Sequence, residues 1–167
     1  MNIRTLITTA LFASMVLLPS RSALADAGPS LEDEGLFQPF RIGVCAGWNA
    51  DCMAGGPRLE FAGRYVGANV SLTAGIAGSL KAYPFGAYHG ESLSVRPYLY
   101  AGVGNFWGIA HAGGGVGTDI HLFQSKRFML QPSVSVHRQC EGQHGATGSM
   151  AVCSLGAGAS LSLMSSF

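Results

Sequence analysis

The sequence predicts an all-β protein, an eight-stranded antiparallel up-and-down transmembrane β-barrel, and three observations carry that prediction. The chain opens on a secretory signal. Its last stretch counts back from Phe167 in steps of two, with Leu163, Leu161, Ala159, Ala157, Leu155, Cys153 and Ala151 on one face and Ser166, Ser162, Ser160, Gly158, Gly156 and Ser154 on the other. That is the period of an extended strand. Nothing after the signal approaches the roughly 20 apolar residues of a spanning helix, so any passage through a bilayer must be made by strands.

The elements follow in chain order. Arg4 supplies a short positive region, Leu6 to Leu18 an apolar one, and Ala23-Leu24-Ala25 a small-x-small cleavage site. Residues 1–25 therefore read as a signal peptide, with the mature chain starting at Asp26. Residues 26–38 (DAGPSLEDEGLFQ) are acidic, contain Gly and Pro, and read as a periplasmic leader. The barrel occupies 39–167. Gly, Pro, Asn and Asp clusters divide it into eight strands, near 39–48, 57–66, 68–77, 78–85, 95–106, 109–123, 127–139 and 149–167.

Alternation runs through these strands. Phe40, Ile42, Val44, Ala46 and Trp48 oppose Arg41, Gly43, Cys45 and Gly47; Leu59, Phe61 and Tyr65 oppose Glu60, Ala62 and Arg64. Val70, Leu72, Ala74 and Ile76 oppose Asn69, Ser71, Thr73 and Gly75, and Phe128, Leu130, Val134 and Val136 oppose Gln131, Ser133, Ser135 and His137. A soluble barrel would turn the apolar face inward. Three features favour the reverse. The polar face is rich in Gly and Ser, which suits a crowded interior. The apolar-face aromatics Phe40, Trp48, Tyr65, Phe128 and Phe167 cluster at strand ends, as interfacial girdles do. The chain also stops on an aromatic. Both termini then face the periplasm, outer loops fall near 49–56, 77–78, 106–109 and 140–148, and inner turns near 67, 86–94 and 124–126.

Composition agrees. Only 11% of the chain is charged and 24 residues are Gly, against about 25% charge in an average soluble domain. Ten basic residues against nine acidic ones leave no basic excess for nucleic acid.

The run Arg96-Pro97-Tyr98-Leu99-Tyr100-Ala101-Gly102-Val103-Gly104 resembles the "PY-x-x-AGVG" strand of OmpA-like and opacity-type outer-membrane barrels, and Gly113-Gly114-Gly115-Val116-Gly117-Thr118-Asp119 is similar to the strand that follows it. The resemblance implies a single eight-stranded barrel. It also implies that Phe167 is the recognition mark for the barrel-assembly machinery. Ser165 departs from the larger apolar residue usual there.

Candidate chemistry is sparse. Inward parity holds Arg41, Glu60, Arg64, Lys81, His111, Asp119, His121 and His137. An eight-stranded barrel is just wide enough to be filled by side chains, so these residues read as a paired network that blocks or gates the lumen. A lipid A deacylase would need a serine beside a histidine base; the nearest counterpart, His137-Arg138-Gln139, lacks the serine. The histidines offer no ligand spacing, so neither a metal nor another cofactor is expected. Four cysteines in an oxidising compartment predict disulfides. Several pairings are possible, and the expected one is local: Cys45–Cys52 across the first outer loop and Cys140–Cys153 across the last, with a Cys45–Cys153 link across the barrel seam as the outcome that would refute it. The expected role is a monomeric, non-catalytic barrel among outer-membrane lipid, structural or recognising an extracellular ligand through its loops. A lipid-modifying enzyme and a small pore are the alternatives.

Overall fold

The computed structural model describes residues 39–167 other than 74, 91–92, 123–126 and 146–147. The expected signal peptide, the leader and the turn at 124–126 lie outside the described residues. The strands are β1 (Phe40–Asn49), β2 (Cys52–Ala62), β3 (Val66–Leu72), β4 (Gly75–Ala82), β5 (Tyr88–His89), β6 (Leu93–Phe106), β7 (Ile109–Leu122), β8 (Phe128–Gly145) and β9 (Gly148–Ser166). All except β5 form a closed, eight-stranded antiparallel barrel. β9 closes it against β1, from Arg41 opposite Ser166 to Gly47 opposite Ser160. β4 pairs directly with β6. The short β5 pairs with β6 through Tyr88–Val95 and His89–Ser94. Closure leaves no sheet edge along the body of the barrel.

Period-2 alternation sets the two faces. Outside are Ile42, Val44, Leu59, Val70, Leu72, Ile76, Leu80, Leu99, Val103, Leu161 and Leu163, all exposed. Inside are Arg41, Arg58, Glu60, Lys81, Asp119, Gln131 and a set of serines, all buried. Apolar side chains thus cover the outer face and charged and polar ones the inner face. Exposed aromatics gather at the two rims. Phe40, Phe61, Tyr65, Phe85, Phe128 and Phe167 lie at the end where β1 starts and β9 stops, and Trp48 and Trp107 at the other. The termini of the barrel meet there, with the Phe167 N–H donating to the Phe40 carbonyl. At the far end β6 turns into β7 through Trp107 and Gly108, both at positive φ. That is the primed geometry a two-residue hairpin needs, and Gly108 adopts it without steric cost.

Four expectations are corrected. The third and fourth strands do not meet at 77–78; Leu72 leads through a short turn to Gly75. Leu72 and Ile76 are direct partners, so this turn leaves the outward parity unchanged, and the alternation crosses it without a mark. The second strand starts at Cys52, which shrinks the loop expected at 49–56 to Ala50 and Asp51. The last outer loop is not at 140–148, because β8 runs to Gly145 and β9 begins at Gly148. Finally, Arg64 lies beyond the end of β2 and is exposed, its guanidinium 5.3 Å from the Tyr65 ring centroid. It is not an interior residue.

Candidate functional site

The interior is built from side chains that the pleat turns inward on almost every strand. Arg41 and Glu60 are direct partners on β1 and β2. Arg41 Nη1 lies 2.7 Å from Glu60 Oε1 and 2.7 Å from Asp119 Oδ2 on β7. Lys81 Nζ on β4 reaches Glu60 Oε2 at 2.5 Å. Arg58 pairs with Asp51 at 2.7 Å and stands 3.7 Å from Glu60 Oε2. The Gln131 amide on β8 donates to both Glu60 Oε1 and Asp119 Oδ1 at 3.0 Å. Five strands thus meet in one buried network, and Glu60 is its hub. Such a network adds little net stability over an apolar filling, but losing one member leaves charge buried and uncompensated.

Around this network, aromatics and Arg96 on and beside β4 and β6 continue the filling. Tyr98 meets Tyr83 and Tyr100 edge to face, with ring centroids 5.8 and 6.0 Å away. Lys81 Nζ stands 4.1 Å from the Tyr98 ring centroid. Gly117 leaves the room that the Tyr98 ring occupies. The Arg96 guanidinium lies 3.6 Å from the Tyr83 ring centroid and donates to the carbonyls of Gly63, at 2.8 Å, and Arg64.

From the far end the lumen is closed by the β1–β2 turn itself. Asn49, Ala50, Asp51 and Cys52 are all fully buried. Asn49 Oδ1 accepts from the N–H groups of Asp51 and Cys52 at 3.1 and 2.9 Å, which tightens the turn locally. Its Nδ2 donates across the lumen to Ser133 and Ser160, both at 2.8 Å. The Ala50 N–H donates to Ser135 Oγ at 3.2 Å, and the Ser71 hydroxyl to the Asp51 carbonyl at 2.5 Å. Gly102 on the facing wall makes room for the Ala50 backbone. The Cys45–Cys52 disulfide ties the turn to its own strand. A loop expected to face outward is therefore a plug.

Beyond the plug stand His111 on β7 and His137 on β8, both buried, with His137 Nε2 3.0 Å from Gln139 Nε2. His121 is buried on the interior face of β7, opposite Met129. The second disulfide joins Cys140 and Cys153, direct partners on β8 and β9. Phe167 lies exposed at the termini rim. The structure thus gathers Arg41, Glu60, Lys81 and Asp119 into one cluster, sets His137 apart from it, and leaves Arg64 outside.

Sequence reasoning missed Arg58, Asp51 and Arg96 as interior groups. Arg58 shares the parity of Glu60, and continuing that count by one step finds it. Arg96 lies within the glycine- and tyrosine-rich run yet also has inward parity. Asp51 carried no signal, since its position depends on which way a turn bends. Among the described residues no three His, Cys, Asp or Glu side chains converge as a metal cluster. Comparison of the chain with protein-family models, with curated proteins and with solved structures finds no match in any of the three.

Proposed function

We propose that the protein is a non-catalytic outer-membrane β-barrel of the small, opacity-like kind, a sealed scaffold whose role is structural or recognitional. The observation that carries this reading is the inversion of the barrel: a continuous exposed apolar wall with aromatic rims around an interior of buried ion pairs. A contiguous apolar surface of this extent needs a partner, and a lipid bilayer matches a band bounded by aromatics. The termini rim then faces the periplasm, where Phe167 is available to the barrel-assembly machinery.

Recognition falls to the β8–β9 hairpin. β7 accompanies β8 only as far as Ile109 opposite Glu141, and β1 accompanies β9 only from Gly47 opposite Ser160. Past those points the two strands pair only with each other, out to Gly145 and Gly148, and the Cys140–Cys153 bridge staples the base of the projection. In this orientation the projection is extracellular and is the surface that meets a ligand. The lipid-modifying alternative loses its candidate base, because His137 turns into the barrel and away from the lipid side.

The reading is tested by fractionation and conductance together. The protein should sediment with the outer membrane and migrate faster on gels before boiling than after. In planar bilayers it should give no discrete channels. Asp51→Ala combined with Cys45→Ser and Cys52→Ser frees the plug and should produce conducting events. Steady conductance by the native protein would favour the pore, and recovery as a soluble periplasmic protein would remove the membrane assignment.

A further inference from the structure

We propose that the outer edge of β9, from Ala151 to Ala157, is a self-pairing surface: it takes the same edge of a second copy as an antiparallel strand, and so holds two barrels together across facing membranes. The bare edge is a consequence of the plug. β1 follows β9 as far as Asn49, where a Cβ on Gly158 would strike the Trp48 carbonyl and the Asn49 Cα. There the chain bends into the lumen, with Ala50 fully buried. Among the described residues no other strand takes its place. β9 continues to Gly148 with β8 on one side only.

The ladder fixes which backbone groups are left over. At the termini rim the Phe167 N–H donates to Phe40, on the β1 side, and the Ser166 N–H to Arg127, on the β8 side. The β8–β9 register then runs unbroken from Phe128–Ser165 to Gly145–Gly148. Odd-numbered residues of β9 therefore turn N–H and C=O towards β1 throughout, because the direction alternates along a strand. The Cys140–Cys153 Cα separation of 4.1 Å agrees, since partners that close do not hydrogen-bond to each other. Past Asn49 the backbone groups of Ala151, Cys153, Leu155 and Ala157 meet no strand. Such a row is a template for another strand.

Charge selects a second copy as the occupant. Edges are ordinarily guarded by charged residues, Pro or a bulge, and the 19 residues of β9 contain no Asp, Glu, Lys, Arg, His or Pro. A two-fold contact brings the same segment against itself, so a charged edge would repel its copy. This edge does not, and it offers a charged peptide no counter-charge. Centred on Ser154, the pairing sets Cys153 opposite Leu155 of the second copy, Ala151 opposite Ala157, and Val152 opposite Gly156. Leu155, 76% exposed in one barrel, then lies beside the Cys140–Cys153 bridge of the other. Antiparallel pairing leaves the barrels at opposite ends of the joined sheet, which fits two membranes and not one. A contact this short is weak singly, and many copies on facing surfaces make it avid. The bridging rests on the membrane orientation proposed above; the edge pairing does not.

The native protein in detergent should pass from monomer to dimer in sedimentation as its concentration rises, and vesicles carrying it should clump. Leu155→Pro removes an N–H on the open side and leaves the bonds to β8 in place. It should abolish dimer and clumping while heat-modifiable migration stays native. Ala151→Cys in one vesicle population should form a disulfide with Ala157→Cys in another, and mass spectrometry should find Cys140–Cys153 intact. A native protein that stays monomeric and leaves its vesicles dispersed overturns the proposal, as does a folded Leu155→Pro that dimerises like the native chain. Links between Ala151→Cys copies alone would mean a parallel contact within one membrane and overturn the bridging. Retention of unrelated extended peptides by a protein that remains monomeric would assign the edge to a foreign strand and overturn self-pairing. Failure of the protein to enter vesicles would count against the membrane barrel, and sedimentation in detergent would still decide the edge pairing.

Discussion

Glu60→Ala should prevent the barrel from reaching its heat-modifiable form, or leave it with a strongly lowered urea midpoint when folded into vesicles. Glu60 is fully enclosed. It receives Arg41 and Gln131 on one oxygen and Lys81 on the other, with Arg58 just beyond hydrogen-bond reach. Removing it leaves Arg41, Arg58 and Lys81 buried with one carboxylate fewer, beside Asp51 and Asp119. Breaking a buried pair from one side costs about 3–5 kcal/mol, a large part of the roughly 5–15 kcal/mol that holds a typical domain together. Glu60→Gln keeps an acceptor for Arg41 and removes only the charge, so its loss should be smaller. Glu60→Leu with Lys81→Met removes one charge of each sign and fills the space with carbon, and it should recover part of the loss. A Glu60→Ala midpoint within about 1 kcal/mol of the native value would mean that water reaches the cluster and screens it.

How far this interior was legible follows from what period-2 patterning can and cannot encode. Alternation reports which side of the wall a residue faces, and on that it served well from Arg41 to Ser166. It carries no record of strand ends where the parity survives the turn. Leu72 and Ile76 show this most plainly: as direct partners they keep the same face, so the bend between them is silent. It also over-reads at strand ends. Arg64 continues the parity of Glu60 but sits past Ala62, where the pleat has stopped and the side chain turns outward beside Tyr65. The plug was out of reach for a different reason. Asn49 and Asp51 are common turn residues, and nothing local says that the turn bends into the lumen. That direction is decided by serines on distant strands, Ser71, Ser133, Ser135 and Ser160. On sequence grounds those residues are only small and polar. The disulfides are the local ones expected, Cys45–Cys52 and Cys140–Cys153. Cys140 and Cys153 become adjacent once the β8–β9 register is set, and Cys45 and Cys52 once the first loop shrinks to Ala50 and Asp51.

The outer wall supplies the second large effect. Val44 sits at the middle of β1, between Pro57 and Leu163, and is 56% exposed. If that wall meets water, Val44→Arg is an ordinary surface change worth within about ±0.5 kcal/mol. If it meets the hydrocarbon core, Arg near the midplane costs about 2–4 kcal/mol, falling to about 0–1 near the interfaces. The rim residue Tyr65 is the matched control, and Tyr65→Arg should be nearly silent. Ser135→Lys is a poor interior control despite its inward parity. Its hydroxyl holds the Ala50 N–H, so a lysine there should expel the plug and register as conductance rather than as a simple tolerance. Urea titration of folding into lipid vesicles measures both arginine variants on one scale. Val44→Arg should lower the folding free energy by several times the effect of Tyr65→Arg, because depth alone separates two exposed positions that receive the same charge. Equal effects at the two sites would mean that the apolar wall is not in lipid, and the scaffold would need another hydrophobic partner.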